Sequence, residues 1–168
     1  LTVGLCIKLA LFPLHMWLPN AYTYAPSVVS VFLASTATKV SIYALLRVLF
    51  TIFGGVEILE ILPIRGLLIG MAAMAMIYGS IQAIYQINVK RILAYSSIAQ
   101  IGYVVLGLSF DNATGIAAGI IHLFNHALMK GSLFMVLGAV MYRVGSVQLN
   151  DMAGLGKDMP LTMAAFFI

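Results

Sequence analysis

Lys8, Lys39 and Lys130 each stand inside a long apolar stretch, and His122 and His126 precede Lys130 at four-residue intervals. Burial disfavours the charged form of an amine, and imidazole titrates close to neutral pH unaided. Both side chains can therefore take up and release protons. Four-residue spacing on a helix puts His122, His126 and Lys130 on one face, about one turn apart. Such a stripe is a hopping path, with Lys39 and Lys8 as further stations. A lysine at the centre of a bilayer costs roughly 2.5–3.5 kcal/mol and usually faces a protein interior or a water-filled cavity. Three such lysines point to function. The acids Glu57, Glu60, Asp111, Asp151 and Asp158 all fall between apolar stretches, so the lysines meet no carboxylate of this chain at their own depth. One competing reading makes a histidine a hydrogen-bonded packing residue. Another makes His122-x-x-x-His126 a zinc ligand pair, but a third ligand and the glutamate of a metalloprotease motif are missing. No metal or other cofactor is expected.

The elements that must position these groups are transmembrane helices. The chain of 168 residues is 62% hydrophobic and 8% charged, with a mean hydropathy of +1.07; soluble domains carry roughly 25% charged residues. The apolar runs are too long for strands and lack period-two alternation. Runs of about 20 residues span a bilayer, and the chain reads as an all-α bundle of about five complete spans and part of a sixth. They are placed at residues 1–17, 27–53, 64–86, 91–110 and 113–143, with the sixth starting at Pro160. Turns are expected at Leu18-Pro19-Asn20, Ala25-Pro26, Gly54 to Pro63 and Asp111-Asn112, the last pair also capping the fifth span. Pro13 breaks the first span close to Lys8, as in transporters whose broken helices line an ion site. His15 and Trp17 read as interface anchors, and the Gly/Ala positions of Gly70–Gly79 as packing surface. The other cations sit near span ends. Lys90, Arg91, Arg143 and Lys157 share one side and Arg47 and Arg65 the other, which makes the first side cytoplasmic. Nine scattered cations make no nucleic-acid patch. Cys6 stands alone, and with no cysteine cluster and no glycine-rich fingerprint nothing here binds a redox cofactor. The chain reads as one transmembrane domain over residues 1–168, an internal fragment of a longer protein.

Three stretches carry a family resemblance. Lys8-Leu-Ala-Leu-Phe-Pro-Leu-His-Met-Trp-Leu-Pro-Asn-Ala followed by Ala25-Pro26 is the first, Val89 to Tyr103 the second, and His122-Leu-Phe-Asn-His-Ala-Leu-Met-Lys-Gly-Ser-Leu-Phe134 the third. Together with Asp151-Met-Ala-Gly-Leu-Gly156 they resemble, in order, the antiporter-like proton-translocating family. That family includes membrane subunits of respiratory complex I, Mrp-type cation/proton antiporters and membrane-bound hydrogenases. The resemblance implies a proton relay through Lys8, Lys39, His122, His126 and Lys130, partner membrane subunits, protons and sodium as candidate ions, and a bacterial inner-membrane location. Lysine at position 39 with His122-x-x-x-His126-x-x-x-Lys130 is closest to the D subunit of the Mrp type, ahead of a complex I or hydrogenase subunit. Asn20 departs from the family, where many members have aspartate.

One expectation concerns the complete protein. An acid from outside this chain should lie within about 4–6 Å of the Lys8 amine, the range over which charges shift one another's ionisation. A structure of the whole protein with only apolar groups around Lys8 refutes it.

Overall fold

A computed structural model of the chain describes residues 2–52, 64–110 and 112–167. The turn expected at Gly54 to Pro63, the end of the second span at Phe53, and Glu57, Glu60 and Asp111 lie outside the described residues. The elements are α1 (Thr2–Leu9), α2 (Trp17–Tyr24), α3 (Ser27–Ile52), α4 (Ile64–Ile84), α5 (Val89–Ser109), α6 (Ala113–Val144) and α7 (Pro160–Phe167). Among the described residues the only extended pairing is a single antiparallel bridge between Asn88 and Gln148. Among the described residues four helices, α3 to α6, are long and apolar enough to cross a membrane. The 21 residues of α4 and of α5 amount to about 30 Å of helix, the thickness of a hydrocarbon core.

Helix ends follow their capping residues. The Asn88 side chain accepts from the backbone N–H of Lys90 at 2.9 Å and starts α5. Asn112 does the same for Gly115 at 2.6 Å and starts α6. Gly145, at φ 78°, ends α6 in the left-handed region that glycine adopts without strain.

The first expected span is broken, as Pro13 suggested: α1 stops at Leu9 and helix resumes at Trp17. At the end of α1, Ala10 takes a left-handed φ of 57°. Its N–H bonds the Ile7 carbonyl at 3.0 Å, and the Leu11 N–H bonds that of Cys6 at 3.1 Å. This pair of bonds is the Schellman way of closing a helix, here with alanine where glycine is usual. Pro13 follows the stop, joined to Phe12 by a cis peptide. The Trp17 indole N–H donates to the Ile7 carbonyl at 2.7 Å and ties the start of α2 to the end of α1. The expected turn at Leu18-Pro19-Asn20 is corrected: these residues lie in the first turn of α2. Proline is tolerated there because that turn has no intrahelical use for its missing N–H. His15 is also corrected: it is buried, between Phe12 and the Tyr78 ring of α4, rather than exposed as an anchor.

Helix α5 is the spine of the bundle, packed by α4, α6 and α2, while α3 packs on α6 and α1. Small residues let backbones meet without interdigitating side chains. A Cβ at Gly79 would sit 2.8 Å from the Ala99 nitrogen, and one at Gly102 would sit 2.8 Å from the Ala72 carbonyl oxygen. Ala72, Ala75 and Gly79 thus form the expected packing surface of α4, whereas Gly70 faces open space.

Gly102→Leu should therefore force α4 and α5 apart and destabilise the protein by about 1–3 kcal/mol or more. Gly70→Leu should leave the thermal midpoint of the purified membrane protein unchanged. Equal midpoints for the two variants would contradict this packing.

Candidate functional site

Helix α3 winds wide over Leu33–Ala37, as a π-turn, just ahead of Lys39. A π-turn breaks the regular i→i−4 ladder and makes carbonyls available to other donors. Two are used. The Tyr22 hydroxyl of α2 donates to the Leu33 carbonyl at 3.2 Å, and the Lys39 amine folds back to donate to that of Ala34. Tyr22 is fully buried, with its ring edge-on to Phe134 of α6 at 5.3 Å. The half-helix α2, the wide turn of α3 and the middle of α6 are thereby joined at one level.

Lys130 is buried against α5, where its amine donates to the Leu93 carbonyl at 2.9 Å and to the Ser96 hydroxyl. His126 is buried one turn before it, and its Nε2 has no hydrogen-bond partner. The wide turn of α3 that holds the Lys39 amine packs against this part of α6, with Ser35 facing Gly131. The rings of His122 and His126 are parallel within 3°, with centroids 6.2 Å apart. His122 Nε2 meets the Gln100 Oε1 of α5 at 2.6 Å, and the Tyr103 ring stands edge-on to His122 at 6.3 Å. His122 and Gln100 also line a cleft of about 440 Å³ between α5 and α6, with Tyr103, Gly107, Ala118 and Gly119.

Four of the five residues singled out from the sequence thus belong to one cluster, open at His122 and closed at Lys130. Lys8 does not join it: it is exposed in the last turn of α1 and makes no hydrogen bond among the described residues. Helix α6 is α-helical from Ala113 to Val144, and the wide turn lies in α3. Lys90 sits near a span end as expected, in the first turn of α5, but it is buried rather than facing solvent. It is 5% exposed, and its amine donates to the Ala25 carbonyl at the end of α2 at 3.1 Å. Gln100, Ser96 and Tyr22 were missed. Gln100 and Ser96 fall inside the Val89–Tyr103 stretch, but nothing in their residue types marks them as partners of α6.

His15 is 2% exposed, and neither ring nitrogen has a hydrogen-bond partner. It lies in the break, against α4.

Chemically, the cluster is a row of groups that gain and lose protons, held by neutral acceptors and anchored where helices break. The fold is a polytopic membrane helix bundle with a broken helix beside buried lysines and histidines. The whole chain, residues 1–168, matches the family model described as NADH:quinone oxidoreductase/Mrp antiporter, TM, and the chain belongs to that family. It is 46% identical over 166 residues to NADH-quinone oxidoreductase subunit N of Desulforudis audaxviator, covering 99% of this chain and 33% of that protein. It is 34% identical over 166 residues to the D subunit of the Na(+)/H(+) antiporter of Alkalihalophilus pseudofirmus, covering 99% of this chain and 33% of that protein. A chain in the structure of the Mrp complex from a Dietzia species superposes with a TM-score of 0.91 at 32% identity, covering 99% of this chain and 30% of that one. The chain spans about a third of the length of these relatives. It is part of an integral membrane protein of that family.

Replacing a buried charge by an apolar side chain of similar volume is often neutral or stabilising. In Lys130→Met nothing is orphaned, because the Ser96 and Ser97 hydroxyls still donate to the Leu93 carbonyl, at 3.1 and 2.9 Å. The variant should hold its thermal midpoint or exceed it. A loss of more than about 1 kcal/mol would show that the amine is a structural keystone instead.

Proposed function

We propose that this chain carries a segment of a transmembrane proton path running through Lys39, Lys130, His126 and His122 to the cleft beside Gln100, with Lys8 at the Pro13 break as an outer station. The observation that carries the reading is the buried, unpartnered Nε2 of His126, one helical turn from the buried Lys130 and stacked with His122, on the helix against which the wide turn holding the Lys39 amine packs. Proton transfer runs along hydrogen bonds or single bridging waters. The Gln100 amide suits such a path, since it can offer either an oxygen or an NH₂ group. His122 then keeps a partner whether or not its Nε2 bears a proton. Partner membrane subunits, a bacterial inner membrane and the acid near Lys8 belong to the same reading.

The driver of the path is a separate question. Lys39 and the His122-x-x-x-His126-x-x-x-Lys130 spacing favour the D subunit of an Mrp-type antiporter. The 46% identity to the N subunit of a quinone oxidoreductase supports a redox-driven complex more strongly than the 34% identity to the D subunit of an antiporter supports exchange. We take the redox-driven reading, in which quinone is reduced elsewhere in the complex and this chain conducts protons. Sodium remains the second candidate ion under the antiporter alternative.

In vesicles containing the full complex, Lys39→Ala and His126→Ala should lower proton translocation at least about tenfold with assembly intact. Lys39→Arg should fail as well, because arginine keeps its proton. Near-normal flux in assembled Lys39→Ala sinks the relay. An electron donor with quinone should drive the flux; sodium-gradient-driven flux without a donor would favour the antiporter alternative. Gln100→Leu should slow the flux by about 10²-fold, the lower range for removing a positioned proton-transfer partner.

A further inference from the structure

Where α4 ends and α5 begins, a cleft of about 330 Å³ is lined by Tyr85, Gln86, Ile87, Asn88, Arg91 and Gln148. Two chain segments build it. The Val89 N–H donates to the Val147 carbonyl, and the Leu149 N–H to that of Ile87, each at 3.0 Å. Arg91 is half-buried in this cleft. Its Nε is shielded from solvent without a hydrogen-bond partner, and no described residue accepts from the rest of its guanidinium. A guanidinium is a planar fork of N–H donors that matches a phosphate group. Asn88 spends its side-chain oxygen on the backbone of α5, so its NH₂ group remains as a second donor. No carboxylate lines the cleft among the described residues.

The position selects the source of the phosphate. The cleft lies at the ends of two apolar helices, each long enough to cross a bilayer. Ile84, Tyr85 and Ile87 around it are 80%, 76% and 62% exposed, an apolar rim at the depth where headgroups meet acyl chains. Lys90, Arg143 and Lys157 lie on the same side, and Lys90 is already spent on the Ala25 carbonyl. Basic pockets at helix ends on the cytoplasmic side hold anionic headgroups.

We propose that this cleft binds the phosphate of an anionic phospholipid, with Arg91 as its principal ligand. The test uses the purified full complex, delipidated in neutral detergent and titrated with phosphatidylglycerol, phosphatidylcholine or inorganic phosphate while thermal stability is followed. Phosphatidylglycerol should raise the midpoint and phosphatidylcholine should not. Arg91→Gln should need about tenfold more phosphatidylglycerol for the same rise, and Arg143→Gln no more than the unaltered protein. Gln148→Glu, which adds a negative charge at an exposed wall and leaves the core untouched, should weaken the response in the same way. An equal response of the unaltered protein and both cleft variants overturns the site. An Arg91-dependent rise with inorganic phosphate alone overturns the lipid as its source.

Discussion

Inside a membrane, a backbone carbonyl released from its helix and a lysine taken out of water are both costly, and here each meets the other. Lys39 donates to Ala34 in the wide turn of α3 and Lys90 to Ala25 at the end of α2, while Lys130 finds its acceptor in the Leu93 carbonyl within α5. The Trp17 indole serves the Ile7 carbonyl at the end of α1 in the same way. Unpaired polar groups in hydrocarbon cost several kcal/mol each, so every break in a helix demands a donor and every buried amine demands an acceptor. The rest of the architecture follows from matching the two. Helix α5 lies at the centre because its carbonyls and hydroxyls receive α6, and α2 can be short because α3 and α5 complete its end.

Neutral acceptors have a consequence for charge. A carboxylate would hold an ammonium by Coulomb attraction and fix its proton. A carbonyl accepts a hydrogen bond from charged and neutral amines alike, and so restrains the position of the nitrogen more than its protonation state. The same holds for Gln100 beside His122. Among the described residues the carboxylates are Asp151 and Asp158, both exposed in the connector between α6 and α7. Asp151 accepts from the Ser146 hydroxyl at 2.5 Å rather than from a cation.

Hydropathy made the long elements legible. Helix α5 runs Val89–Ser109 where residues 91–110 were expected, and α6 runs Ala113–Val144 where residues 113–143 were expected. Apolar length is set by the bilayer and printed directly in residue type. The break was signalled by Pro13, yet the chain leaves the helix upstream, at Ala10, because a Schellman closure depends on backbone geometry that alanine does not advertise. Pro19 misled because proline marks turns and first helical turns equally. The wide turn of α3 left no trace in composition, since it is decided by what Tyr22 and Lys39 can reach across the bundle. Grouping His122, His126 and Lys130 needed only the helical period. Pairing them with Gln100 and Ser96 needed the rotation of α5 about its axis, which packing sets through Gly79, Gly102 and their neighbours.

The broken first segment also bears on how the protein enters the membrane. Helix α2 has eight residues, about 12 Å, well short of a spanning length. It would not partition into lipid by itself with the carbonyls at its end left open. The donors that complete the end of α2, Ser30 of α3 and Lys90 of α5, are synthesised later. Membrane integration of this segment must therefore wait for downstream helices, so that its biogenesis runs against the order of translation.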